Sequence, residues 1–202
     1  MKLFLAEEMH KVDAKAINKI GMSETVLMEN AGRAITEVVE KYLEDSAGKK
    51  IVVLAGKGNN GGDGLVAARL LAKAGAQVTV VLAEPATRFS PSSKIEYKIL
   101  QHCIVDIMPW NNVKQNQAAI CRLCTEADVV LDALLGTGFK GKLRDSYKTI
   151  IEAMPEGLPV VAVDIPSGVE ADTGKVDKAL PAFLTVTMIA GNAGLYLYPG
   201  AA

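Results

Sequence analysis

Between residues 51 and 188 the sequence repeats one grammar. A short unbroken run of Val, Ile, Leu and Ala is followed by a break, then by a stretch with apolar residues at helical spacing. The runs Ile51–Ala55, Val78–Leu82, Ile104–Ile107, Asp128–Ala133, Val160–Asp164 and Leu184–Met188 predict strands. They do not alternate apolar with polar residues, so both faces must be covered, as in parallel strands between two layers of helices. The stretches Leu65–Ala74, Ile95–His102, Ala118–Ala127 and Ser146–Met154 supply those helices. The alternation predicts an α/β fold: a three-layer, doubly wound, mostly parallel, Rossmann-like sheet. Right-handed crossovers then bring the C-terminal ends of the strands to one rim.

Two helical patterns precede the first strand, about Leu5 to Ile20 and about Glu24 to Leu43, and predict an N-terminal helical extension. In the second, Leu27, Ala31, Ile35, Val38 and Tyr42 recur every three or four residues and form an apolar stripe. Asn111–Gln117 is polar and reads as a loop. No repeat, low-complexity segment or linker interrupts the 202 residues, so one domain is expected.

Composition narrows the function. Apolar residues make up 50%, which excludes a disordered chain, and aromatics only 5%, too few to stack on single-stranded bases. Lys and Arg number 22 against 23 acidic residues, so no one-sign field draws nucleic acid or an anionic membrane as partner. The N-terminus meets charge before a signal-length apolar stretch forms, and no run approaches the roughly 18 residues of a membrane span. A soluble cytoplasmic protein is expected. Cys121-Arg-Leu-Cys124 has a CxxC spacing but no second pair and lies in a helical pattern, which favours burial over metal or redox use.

Three predicted strands end in loops that carry chemistry. Ile51–Ala55 runs into Gly56-Lys-Gly-Asn-Asn-Gly-Gly-Asp-Gly64. Five glycines in nine residues permit close approach of backbone to ligand, and the next helix offers N–H groups and a positive dipole end to phosphate. Gly56-x-Gly58-x-x-Gly61 is also a literal dinucleotide fingerprint, with Glu84 about 20 residues on where a ribose-binding acid sits. A nicotinamide dehydrogenase is therefore one alternative, though no Tyr-x-x-x-Lys accompanies it.

Asp128–Ala133 runs into Leu134-Leu-Gly-Thr-Gly-Phe-Lys-Gly-Lys142. Asp132, at the end of that strand, is costly unless paired or bound to a cation, and Lys140 and Lys142 can neutralise phosphate. The alternative is a structural Asp with two solvated lysines. Val160–Val163 runs into Asp164-Ile-Pro-Ser-Gly168, where a carboxylate fixed by a stiff turn suits proton transfer; the alternative is an Asx turn without chemistry. If the strands are parallel, the three loops share one crevice. Its carboxylate and amide oxygens suit a hard cation rather than zinc. His10 and His102 fall outside these loops.

Leu27-Met-Glu-Asn-Ala-Gly-Arg33, Gly58-Asn-Asn-Gly-Gly-Asp-Gly64, Asp132-Ala-Leu-Leu-Gly-Thr-Gly138, Val163-Asp-Ile-Pro-Ser-Gly168 and Ala171-Asp-Thr-Gly174 together resemble the NAD(P)H-hydrate epimerases, in order and over nearly the whole chain. The resemblance implies an isomerase of metabolite repair, which interconverts the R and S forms of hydrated NADH and NADPH for an S-specific dehydratase. It implies that Asn59, Asn60, Gly61, Gly62 and Asp63 contact substrate. The same holds for the loop of Gly136, Thr137, Gly138, Phe139, Lys140, Gly141 and Lys142. Asp164 would bind substrate near C6 and serve as acid and base. Asn60, Asp132 and Ser167 would hold one potassium ion (K+) per subunit.

The resemblance further implies a homodimer, with the N-terminal helices near its interface and the substrate, where Asn30 and Arg33 either belong to that region or simply solvate a helix face, and an ADP- or ATP-dependent dehydratase as functional partner, fused C-terminally in some members. Two departures stand out. The family carries a lysine near Thr187–Leu195, where this chain has Met-Ile-Ala-Gly-Asn-Ala-Gly. The family also continues through one more strand after Tyr198-Pro-Gly-Ala-Ala, so residues 1–202 are expected to form one epimerase domain lacking it. A binding module of the same fold, without turnover, is the other alternative.

Overall fold

The computed structural model describes residues 2–109, 111 and 116–201, with Asp145 described by its backbone alone. α1 (Ala6–Lys15) continues through one π-helical turn (Ala16–Ile20), and α2 (Glu24–Leu43) follows. The Ser23 hydroxyl caps α2 by accepting the Val26 N–H at 3.3 Å. α2 buries Met28, Gly32, Ile35, Thr36 and Val39. That face is one position round from the predicted stripe: Leu27, Ala31 and Val38 are half-buried and Tyr42 is exposed. The cause is Gly32, where a Cβ would fall on the side chain of Val66 in α3 (Asn59–Lys73). A glycine that lets two helices touch carries no apolar signal, and Thr36 hides its hydroxyl by donating to the Gly32 carbonyl at 2.8 Å.

Among the described residues, six strands form one sheet: β1 (Lys50–Ala55), β2 (Gln77–Leu82), β3 (Asp106–Met108), β4 (Val129–Ala133), β5 (Val160–Val163) and β6 (Leu184–Val186). Their order is β3-β2-β1-β4-β5-β6 and every pairing is parallel. Successive residues serve opposite faces. Ile51, Val53 and Val80 pack with residues of α2, α3 and α4 (Pro91–Leu100). Val52, Leu54 and Val130 pack with α5 (Gln117–Thr125) and α6 (Asp145–Ala153). The three-layer expectation holds, and the continuous apolar runs reflect burial on both sides.

Two boundaries moved for identifiable reasons. Ile104 is 97% exposed, and the third strand starts two residues later, because the Val105 N–H turns back to the Cys103 carbonyl. In the predicted loop Asn111–Gln117, residues 112–115 lie outside the described residues and Gln117 already opens α5.

The larger correction concerns the glycine-rich segment. α3 begins at Asn59, not at Leu65, so most of the expected loop, Asn59 to Gly64, is helix. A helical glycine costs about 1 kcal/mol against alanine, which is why the local signal points to a loop. Packing overrides it. A Cβ at Gly61 would fall on the Gly56 carbonyl, one at Gly62 would lie 2.5 Å from Met28 Sδ, and one at Gly64 would lie 2.5 Å from Ala133 Cβ. These glycines let α3 settle against the sheet, α2 and α4.

Candidate active site

All strands run the same way, but the order in which they are added reverses between β1 and β4, the point where open α/β sheets bind ligands outside the strand ends. A cleft of about 760 Å³ opens there, within the roughly 300–1,000 Å³ of small-molecule sites. It is bounded by the turn after β1, the first turn of α3, the long loop after β4, and Asp164 after β5.

Its floor is a polar knot. Asp132, fully buried at the end of β4, accepts the Ser167 N–H at 2.7 Å, the Ser167 hydroxyl at 2.6 Å and the Leu134 N–H at 3.2 Å. Burial pushes its carboxyl up to about 6 against the pull of those donors. The Ser167 Oγ also accepts the Leu135 N–H at 2.9 Å. Above it, Asn60 Nδ2 donates to the Leu135 carbonyl at 3.0 Å, while Asn60 Oδ1 is buried without a partner among the described residues. Asn60 and Ser167 meet at the Leu135 carbonyl, so the orphaned amide oxygen shares this knot with a carbonyl, a hydroxyl and a carboxylate, a hard-oxygen donor chemistry that fits a cation such as potassium. No group of three or more His, Cys, Asp or Glu side chains able to hold a metal forms among the described residues.

Asp164 occupies the wall. It takes φ 70°, a left-handed conformation uncommon outside glycine, directly after β5. The turn is held by its own N–H, which donates to the Val186 carbonyl of β6 at 2.8 Å. The carboxylate accepts the Thr137 N–H at 2.9 Å. Gly136 is the residue that permits this, since a Cβ there would lie 2.8 Å from Asp164 Oδ2 and 3.3 Å from Asn60. Burial raises the Asp164 carboxyl, opposed by the Thr137 N–H and hydroxyl and by His10, and assisted by Asp13. Asp63, on the first turns of α3, is held well above the usual carboxylate range by burial and by the charges of Asp164, Asp13 and Glu96.

Of the residues expected to contact substrate, Asn59, Asn60, Asp63, Gly136, Thr137, Gly138, Phe139, Lys140, Lys142 and Asp164 line the cleft. Three do not. Gly61 and Gly62 are buried beneath it as packing residues, and the Gly141 N–H is turned to Glu170 Oε1 at 2.9 Å. Asp132 and Ser167 lie fully buried under the cleft beside Asn60. Asn30 and Arg33 are exposed on α2 and do not line it. Where the resemblance leads one to expect a lysine, Met188 and Ile189 form part of the wall.

The cleft also holds residues that no motif marks. His10 and Asp13 of α1 line it, although His10 stands far from the three loops in sequence. α1 is tied there by the Ala6 N–H, which donates to Asp172 Oδ1 at 2.7 Å, and by a bridge between Phe4 and Asn192. Tyr147 closes another side, its hydroxyl accepting the Lys57 N–H at 3.3 Å and pushed up to about 12 by burial. Lys57, Arg88, Lys140, Lys142 and Arg144 give the rest of the lining a basic character. The CxxC stays out of this chemistry: Cys124 is buried in the second core, and burial pushes its thiol up to about 12.

Comparison with known proteins bears on this geometry. The family model described as YjeF-related protein N-terminus matches residues 24–194. The chain is 35% identical over 183 residues to an NAD(P)H-hydrate epimerase of Elusimicrobium minutum, covering 89% of this chain and 81% of that protein. It is 42% identical over 186 residues to a bifunctional NAD(P)H-hydrate repair enzyme of Hyperthermus butylicus, covering 91% of this chain but 34% of that longer protein. The crystal structure of the yeast protein ynu0 superposes with a TM-score of 0.85 at 25% identity, over 97% of this chain and 84% of that one.

Proposed function

Because the chain belongs to the YjeF-related protein N-terminus family, we propose that it is an NAD(P)H-hydrate epimerase, an isomerase that interconverts the R and S forms of hydrated NADH and NADPH. The observation that carries this reading is the position of Asp164: a strained, partly desolvated carboxyl in the wall of a cleft at the strand-order reversal. Asn59, Asn60 and the N-terminal turn of α3 face the pyrophosphate, joined by Lys140 and Lys142.

C6 of the hydrate carries a hydroxyl next to the ring nitrogen. Asp164, protonated, gives its proton to that hydroxyl. The C–O bond breaks, water leaves, and the nitrogen lone pair forms an iminium. Water then adds to the opposite face of C6 and returns a proton to the Asp164 carboxylate. No redox step occurs and the enzyme is regenerated. Proton transfer of this kind contributes about 10²–10⁴-fold in rate.

Asn60, Asp132 and Ser167 would hold a potassium ion, which would supply fixed positive charge to the site. The orphaned Asn60 Oδ1 supports that assignment. The protein works in the cytoplasm beside a dehydratase, a partnership supported by the fused repair enzyme in Hyperthermus butylicus. No helix among the described residues is long and apolar enough to cross a membrane. It acts as a homodimer; sedimentation at working concentration tests this, and the exposed Tyr42–Phe183 ring pair supports it as an apolar contact surface. The activity is tested by mixing the protein with the R hydrate and an S-specific dehydratase. Cofactor recovery faster than spontaneous epimerisation is expected, and recovery at the spontaneous rate overturns the reading.

A further inference from the structure

The end of β2 opens onto the cleft on the other side of β1 from Asp164. Glu84, two residues past Leu82, lines the cleft with 13% of its side chain exposed. Arg88, four residues on, reaches back to it with Nη1 3.0 Å from Oε2, and its own side chain is 66% exposed. β2, β1, β4 and β5 stand side by side. The ends of β2 and β5 are thus three strand spacings apart, about 14 Å at ~4.8 Å each. The N-terminal turn of α3 lies between them.

A dinucleotide whose nicotinamide sits at Asp164 and whose pyrophosphate crosses the α3 terminus brings its second nucleoside to the β2 end. We propose that Glu84 is a specificity-determining residue of an adenosine-ribose subsite there. Its carboxylate accepts hydrogen bonds from the ribose 2′- and 3′-hydroxyls, so the protein prefers the hydrate of NADH to that of NADPH. This inference rests on the epimerase reading.

The preference follows from donor chemistry. A carboxylate only accepts hydrogen bonds, and the vicinal diol of an unmodified ribose offers two donors. A 2′-phosphate offers acceptors and close to two negative charges. Arg88 is already engaged in neutralising Glu84. A phosphate recruits it only by breaking that pair, which leaves a largely buried carboxylate beside a dianion. Lys57, the neighbouring cation lining the cleft, stands by the pyrophosphate-facing turn after β1 and is available to that group.

The test is calorimetric binding of ADP-ribose and of 2′-phospho-ADP-ribose to the whole protein, with KM for the two hydrates measured in parallel. The wild type is expected to bind ADP-ribose about tenfold tighter or more, a gap of the size expected when one site group must be left unpaired. Glu84→Gln brings the two within about twofold, because the repulsion is gone. Arg88→Met leaves Glu84 uncompensated, so it weakens 2′-phospho-ADP-ribose further and keeps the order of preference. Thermal melts of both variants check the fold. Equal binding of the two ligands by the wild type, or a ratio unmoved by Glu84→Gln, overturns the subsite. Selective binding without epimerisation of either hydrate overturns the epimerase reading and leaves the subsite standing.

Discussion

Asp132 and Ser167 tie the ends of two adjacent strands together. The carboxylate at the end of β4 takes both the N–H and the hydroxyl of Ser167 in the loop after β5, at 2.7 and 2.6 Å. The same hydroxyl receives the Leu135 N–H, so the loops that carry Gly136 and Asp164 are fixed to each other through one serine.

Ser167→Ala removes that joint while keeping the backbone donor to Asp132. It leaves the Leu135 N–H without its acceptor and Asp132 Oδ1 with the Leu134 N–H alone, and a cost of about 1–3 kcal/mol is expected. Urea unfolding read by circular dichroism measures it. An unchanged midpoint would mean that the knot contributes nothing net.

Potassium is expected to raise the melting temperature, since a ligand that binds only the folded state stabilises it by mass action. The increment should grow with concentration, be smaller in sodium and vanish in Asn60→Ala, which deletes the orphaned oxygen. A melt indifferent to the choice of potassium or choline counts against the cation site.

Asp164→Asn is expected to lower kcat by about 10²–10⁴-fold while substrate still binds. Because the proposed step begins with the protonated carboxyl and burial raises its pKa, wild-type activity should fall on the alkaline side through a limb above the ordinary carboxylate range. His10→Ala should move that limb to higher pH and Asp13→Asn to lower pH, because His10 opposes and Asp13 assists the rise. The contribution of this carboxyl to folding stability is fully present below pH 3.8 and is lost as pH rises through the folded value, because the native state binds the proton more tightly. A rate profile centred near pH 4 is incompatible with this assignment.

Gly61→Ala and Gly138→Ala separate packing from ligand roles. A methyl group at Gly61 meets the Gly56 carbonyl, so a loss of about 1–3 kcal/mol in stability is expected from overpacking, whereas nothing lies within 4 Å of a Cβ at Gly138. Thermal melts should show the first variant lowered and the second close to wild type. Equal melting points would return Gly61 to the role of a loop glycine.

The layer architecture was legible in the chain because burial on both faces leaves a local mark: strands such as Val52-Val-Leu-Ala55 cannot be polar on either side. Asp132, Asp164 and Ser167 were legible too, since each sits within a residue or two of an apolar run's end or a stiff turn, and parallel strands deliver such positions to one rim. Tertiary contact decided the rest. Gly61, Gly62 and Gly64 read as loop residues because propensity sees only their local cost, and the clashes that make glycine obligatory come from the Gly56 carbonyl across the turn and from Met28 and Ala133, distant in sequence. His10 and Asp13 reached the cleft through α1's tie to Asp172, a bond spanning 166 positions that no local pattern encodes. Sequence by itself determined which polar residues stand at which rim; close packing determined which of them line the cleft and which merely let the backbone approach.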